Sequence, residues 1–148
     1  ANDESLALDE FHALLAPDRS DSFEINPIGD DNWEGKAKGV NNQLLAQLRR
    51  GEIPPRKELD LHGLLKNEAH KLLKAFILQS RRDGERCILI ITGKGKHSLG
   101  GQSVLKKAVP QWLSQSPINA HLLAFCSAKA RDGGSGALYV LLRKFSES

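Results

Sequence analysis

"ERCILIITGKGKHSLGG", residues 85–101, decides how this chain folds and where its chemistry lies. Cys87 to Ile91 is apolar at every position. A run of strand length with no polar alternation suits a strand buried on both faces, as in a parallel sheet. It opens into a loop where Gly93 and Gly95 alternate with Lys94 and Lys96 ahead of His97. Glycine tolerates positive φ and leaves backbone N–H groups accessible to an oxygen-rich ligand, and the lysines add positive charge. The loop matches neither G-x-x-x-x-G-K-[ST] nor G-x-G-x-x-G, so a nucleotide P-loop and a dinucleotide site are excluded. A solvated connection and a cradle for phosphate remain.

The surrounding segments build a fold around this strand. Upstream, "KELDLHG" (57–63) alternates Leu59 and Leu61 with Asp60 and His62 and reads as a strand. "NEAHKLLKAFILQSRRDG" (67–84) places Ala69, Leu72, Leu73, Phe76 and Ile77 on one helical face, with Gly84 as its stop. Downstream, "QSVLKKAVPQWL" (102–113) reads as a helix with Ser103 as a cap and Pro110 inside it. "INAHLLAFCS" (118–127) and "ALYVLLRK" (137–144) read as two further strands. The order β-α-β-α-β-β predicts an α/β fold. Its mixed, mostly parallel sheet pairs the first three strands in parallel, with the fourth antiparallel beside the third.

Before this core, Asn41 to Arg50 reads as a short helix closed by Gly51, and Pro54–Pro55 prevents its return. "SLALDEFHALL" (5–15) has helical spacing. The segment 16–39 is rich in Asp, Ser, Gly and Pro without a period and reads as a mobile linker, with Phe23 and Trp33 as isolated groups that dock on the domain or a partner. The expected organisation is an acidic N-terminal extension with a short helix over 1–40 and an α/β domain over 41–146.

Charge follows the same division. Residues 1–35 hold ten Asp/Glu and only Arg19, while residues 36–148 hold twenty Lys/Arg and eight Asp/Glu. A basic domain with an acidic arm points to a polyanionic partner. No apolar run approaches 18 residues, so no transmembrane helix and no membrane partner is expected, and the acidic opening segment does not read as a secretory signal. Cys87 and Cys126 each sit in an apolar run and read as buried thiols of a reducing compartment, which predicts a cytoplasmic protein. No CxxC or HExxH spacing occurs, and the five histidines are scattered, so no metal site and no cofactor are expected.

The predicted topology brings three loops to the carboxyl edge of the strands, where open α/β sheets bind ligands. Asp60 and His62, two apart in a strand, face the same side, and Gly63 lets the chain turn beside them. A carboxylate fixes an imidazole's tautomer and raises its basicity, as acid–base work requires. The plain alternative is the polar face of a strand. The second loop supplies Thr92, Gly93, Lys94, Gly95, Lys96 and His97; the third, "KARDGGSG", supplies Lys129, Arg131, Gly133, Gly134 and Gly136. An acid, a histidine, cations and exposed N–H groups together suit a phosphodiester. His12, His70 and His121 read as structural or solvated, and Trp112 and Tyr139 as core.

"ELDLHG", "ILIITGKGKHS", "LKKAVPQWL" and "GGSGALYVLLRK", in this order and spacing across residues 40–144, resemble the Smr (small MutS-related) domain family, and "LRRGEIPPRKELDLHG" resembles the lead-in of its stand-alone bacterial members. The resemblance implies a two-layer α/β sandwich that binds nucleic acid, with endonuclease activity in several members. Ribosome-linked members cut messenger RNA where ribosomes have collided, and MutS-type members nick DNA. The family's D-x-H motif falls on Asp60, Leu61 and His62. Its TG-x-G motif, associated with nucleic-acid binding, falls on Thr92, Gly93, Lys94 and Gly95.

The leading expectation is an endoribonuclease in which His62 takes or relays the proton of a ribose 2′-OH and Asp60 orients His62 or shares the base role. Lys94 and the N–H groups of Gly93 and Gly95 hold the phosphate, and His97 protonates the leaving 5′-oxygen. RNA is the favoured partner, with DNA as the alternative and the ribosome as a further partner. Two readings stand beside it: a DNA-nicking endonuclease that needs a divalent metal, and a non-catalytic module that binds RNA or ribosomes.

Overall fold

A computed structural model describes residues 23–29, 31–94 and 104–144. Among the described residues nine longer elements follow in chain order: β1 (Phe23–Ile28), β2 (Asn32–Ala37), α1 (Asn42–Arg49), β3 (Lys57–Asp60), α2 (Lys66–Arg82), β4 (Cys87–Ile91), α3 (Val104–Leu113), β5 (Leu122–Ser127) and β6 (Ala137–Leu142). The strands form one mixed sheet in the order β1-β2-β5-β6-β4-β3.

All six residues of β6 are buried, as are the first four of β4. Such strands need neighbours on both edges and cover on both faces, and the sheet supplies both. Ile88, Ile90, Leu138 and Val140 point to one face, where Ala69, Leu73 and Ile77 of α2 and Leu105, Val109 and Leu113 of α3 close over them. Cys87, Leu89, Tyr139 and Leu141 point to the other, beneath Leu45 and Leu48 of α1. The two-layer expectation is therefore corrected to a sheet with helices on both faces. Leu72, expected on the inner face of α2, is exposed.

The pairing also differs. Among the described strands only β3 and β4 pair in parallel, with Asp60 opposite Ile91; the other four pairings are antiparallel. The sheet is mixed, as expected, but not mostly parallel. β3, β4 and β5 do share one direction. β6 returns antiparallel after β5 and inserts between β5 and β4, the position that buries both of its faces.

The segment expected as a linker contributes a hairpin. β1 and β2 pair from Phe23↔Ala37 to Ile28↔Asn32, and β2 pairs with β5. Phe23 stacks on Phe125 with ring centroids 5.7 Å apart and planes within 6°. Small residues of β2 make room: a β-carbon at Gly35 would lie 2.6 Å from the Phe125 ring. Phe23, Ile25 and Trp33 all join the core on the α2–α3 face. The sheet therefore extends upstream of the boundary expected at residue 41, with β1 and β2 lying in the segment assigned to the extension. The predicted helix over 5–15 lies outside the described residues.

α1 starts as its sequence requires. The Asn41 side chain accepts the Leu44 N–H at 2.8 Å, and Gly51 follows the helix at φ 74°. Cys87 and Cys126 are buried free thiols.

Candidate active site

The carboxyl ends of β3, β4 and β5 and the start of β6 lie at one edge, so the three loops singled out above meet there. Leu61 anchors the first. Its side chain is fully buried, and its N–H donates to the Ile91 carbonyl at 2.8 Å. Asp60 and His62 flank this pinned residue and project together, while Gly63 turns the chain at φ 82°.

The pair is in direct contact. Asp60 Oδ1 lies 2.7 Å from His62 Nδ1 and accepts the His62 backbone N–H at 3.0 Å. An ionised carboxylate can only accept, so Nδ1 carries the hydrogen and Nε2 of the neutral ring is the basic nitrogen. Burial raises the Asp60 pKa, but the hydrogen bonds from the His62 ring and amide outweigh it and hold the carboxyl below its ordinary value. The two side chains are 48% and 68% exposed, open to a large substrate.

The second loop is clamped by the third. The Gly136 carbonyl accepts the N–H of Thr92 at 2.9 Å and of Gly93 at 3.0 Å, and the Thr92 hydroxyl lies 3.3 Å from it. Gly93 takes φ 86°, and a β-carbon there would sit 3.1 Å from that of His62. The second loop is thus packed against the histidine. Two expectations change. The Gly93 N–H is already committed to Gly136 and is not open to phosphate, because the turn needs it to close. Thr92 is buried beneath the loop. Lys94 is exposed and lies across the third loop: a β-carbon at Gly134 would be 3.8 Å from its Nζ. Gly95, Lys96 and His97 lie outside the described residues.

Lys129 and Arg131 lean toward the end of α1. Lys129 Nζ donates to the Arg50 carbonyl at 3.3 Å, and a β-carbon at Gly51 would lie 2.8 Å from Arg131 Nη2. The structure thus brings together Asp60, His62, Gly93, Lys94 and Gly134, and holds Lys129 and Arg131 against another element. Gly136, noted in sequence only as one of a glycine cluster, is the central brace. Its signal was its place immediately before an apolar strand. A further contact was invisible in sequence: Lys106 Nζ lies 3.2 Å from Ser135 Oγ and 3.3 Å from Asp31 Oδ1.

The other expected structural residues are placed as such. His70 stacks on Trp112 at 4.4 Å, and its pKa is lowered by burial and by Lys74. His121 Nδ1 lies 2.9 Å from Arg81 Nη1, and its pKa is lowered by burial and then by Arg81. Tyr139 is buried, with its hydroxyl bonded to Asp132. His12 lies outside the described residues. Among the described residues no helix is long and apolar enough to cross a membrane. Nor are three His, Cys, Asp or Glu side chains grouped there so as to hold a metal ion.

A model of the Smr domain matches residues 59–143. The ribosome rescue factor SmrB of Klebsiella pneumoniae (strain 342) is 39% identical over 125 residues, covering 82% of this chain and 62% of that protein. The SmrB of Escherichia coli O157:H7 is 37% identical over 134 residues, covering 90% and 62%. The chain thus spans about three fifths of the length of these relatives. Among solved structures, YdaL, a stand-alone small MutS-related protein from Escherichia coli, superposes with TM-score 0.63 at 35% identity, over 75% of this chain and 82% of that one. The Smr domain of Thermus thermophilus MutS2 gives 0.51 at 27%, over 60% and 99%.

Proposed function

Because the chain belongs to the Smr domain family, we propose that it is an endoribonuclease whose centre is the Asp60–His62 pair and whose substrate is RNA on ribosomes. The observation that carries this reading is the 2.7 Å contact of Asp60 Oδ1 with His62 Nδ1, which leaves Nε2 free as a base at an open edge. The relatives named ribosome rescue factors support the ribosomal setting.

In this scheme His62 Nε2 removes the proton of a ribose 2′-OH. The 2′-oxygen attacks the adjacent phosphorus, the bond to the 5′-oxygen breaks, and a proton returns to that oxygen. The sequence assigns this last role to His97, outside the described residues. Lys94 balances the charge that builds on the phosphate. Asp60 holds the His62 tautomer and stabilises the imidazolium that forms. The products are a 2′,3′-cyclic phosphate and a 5′-hydroxyl.

The test is an end-labelled single-stranded RNA incubated in EDTA with the protein and with Asp60→Ala/His62→Ala. Cyclic-phosphate ends from the unaltered protein alone are expected. Cleavage of a substrate with 2′-H at the cut position would sink the scheme. Cleavage only with magnesium or manganese favours the metal-dependent DNA-type reaction. Binding without cleavage under any condition favours the non-catalytic module.

A further inference from the structure

Lys106, in the first turn of α3, is a lysine with an almost covered side chain: it is 12% exposed. Its ammonium has two neighbours among the contacts described, Ser135 Oγ at 3.2 Å and Asp31 Oδ1 at 3.3 Å. Asp31 sits in the turn between β1 and β2, and its side chain is 65% exposed. A lysine ammonium can only donate, so Ser135 Oγ accepts from it. The hydroxyl hydrogen of Ser135 is then directed elsewhere. Ser135 lies between Gly134, where an added β-carbon would be 3.8 Å from the Lys94 ammonium, and Gly136, whose carbonyl accepts the Gly93 N–H at 3.0 Å; an added β-carbon at Gly93 would sit 3.1 Å from that of His62. Two cations and a polarised hydroxyl therefore stand together at the site edge, with one exposed carboxylate as counter-charge.

Resting on the nucleic-acid reading above, we propose that Ser135, set between Lys94 and Lys106, is a second phosphate-binding point that takes an RNA phosphodiester neighbouring the one cleaved at His62. The Ser135 hydroxyl donates to a phosphate oxygen. Lys94 and Lys106 neutralise it, and Asp31 holds Lys106 in place until the phosphate arrives.

The experiment measures binding of a labelled 2′-O-methyl RNA oligonucleotide by fluorescence anisotropy through a salt series, with the full chain. This RNA has no free 2′-OH, so binding is read without turnover. Lys106→Gln is expected to lower the slope of log K against log salt by about 1, as loss of one phosphate contact does. Ser135→Ala is expected to weaken binding about threefold to tenfold with the slope unchanged. Asp31→Asn is expected to tighten binding more than Glu24→Gln, a charge change of equal size at the start of β1. Equal affinity with and without a 5′-terminal phosphate on the RNA identifies an internal phosphodiester as the ligand; binding that requires the terminal phosphate overturns the assignment.

If Lys106→Gln lowers the melting temperature, Lys106→Arg, which keeps the charge, should retain the slope, and the exposed Asp31 position decides the matter. An unchanged slope in Lys106→Gln, with Asp31→Asn no different from Glu24→Gln, overturns the proposal and leaves Lys106 a brace for the loop. Failure of the unaltered protein to bind RNA removes the functional reading as well. Binding that shifts as expected, with no cleavage of unmodified RNA by the unaltered protein under any condition, leaves this site standing and removes the nuclease.

Discussion

Asp60 is held twice by one residue: its Oδ1 accepts the His62 ring Nδ1–H at 2.7 Å and the His62 backbone N–H at 3.0 Å. The second bond locks the carboxylate to the backbone at the end of β3, and the first passes that order to the ring. Asp60→Asn should lower the turnover rate on RNA about a hundredfold to ten-thousandfold with little change in KM. The two residues act as a unit, so Asp60→Ala/His62→Ala should be no slower than the worse single variant. Single-turnover cleavage of labelled RNA checks both. Multiplying losses in the double variant would separate the pair.

The same contact sets a pH dependence of stability. The Asp60 pKa is lowered from 3.8, because the bonds from His62 outweigh the opposing effect of burial. A carboxyl with a lowered folded-state pKa stabilises the fold above its unfolded pKa, and that contribution fades as pH falls through the folded one. The side chain is half exposed, so solvent screens the effect and keeps it small. The difference in Tm between the unaltered protein and Asp60→Asn should hold steady above about pH 5 and shrink toward about pH 3. Thermal denaturation across that range measures it, and a difference that grows on acidification would contradict the contact.

Gly136 should be less tolerant than Gly134, although only Gly134 has positive φ, at 58°. A β-carbon at Gly136 would lie 2.9 Å from Lys94 Cγ and 3.0 Å from both Gly93 C and Lys94 N, and two of these three are backbone. At Gly134 the nearest such atoms are 3.8 Å away. Gly136→Ala should cost about 1–3 kcal/mol through forced displacement, and Gly134→Ala about 1 kcal/mol through backbone strain alone. Urea denaturation of the two variants gives the ranking.

The hairpin β1–β2 should contribute to global stability. Phe23 is half-buried and stacked on Phe125. Phe23→Ala should cost about 1–3 kcal/mol, less than for a fully buried ring. Unfolding should remain a single transition in urea. A Phe23→Ala variant as stable as the unaltered protein would mean that the hairpin is detachable.

Burial pushes the thiols of Cys87 and Cys126 up to about 12. The reactive thiolate is then scarce near neutral pH. Neither thiol should react with an aromatic disulfide reagent in the native protein on the timescale of minutes. Both should react once denaturant is added, and absorbance after mixing reports the count.

Much of the helix pattern was legible because it repeats within a few residues. Ala69, Leu73 and Ile77 recur at four-residue spacing and are buried as expected. Leu72 satisfies the same spacing but falls at the stripe's edge and is exposed. The hairpin was missed although its period of two is present in Phe23, Ile25, Trp33, Gly35 and Ala37. The segment is rich in Asp, Ser, Gly and Pro, and its apolar partner, Phe125, is about a hundred residues away. In the site, Asp60 and His62 were legible because two residues flanking one strand position must share a side. The Gly93 N–H was misjudged because a free amide in a glycine turn and one bonded to Gly136 look the same in sequence.

The sequence by itself determined which segments are strands and helices in the core, where the chain breaks, the asymmetry of charge, and the Asp60–His62 pair. These depend on side-chain spacing and on the conformational freedom of single residues, which act over one or two turns of chain. Only the tertiary structure decided that β6 enters between β4 and β5, that Gly136 clamps Thr92 and Gly93, and that Asp31, Lys106 and Ser135 meet. The Gly136 clamp and the Lys106 contacts join positions 29 to 75 apart. They arise from burying both faces of an apolar strand at once, a requirement of the whole sheet that no local pattern carries.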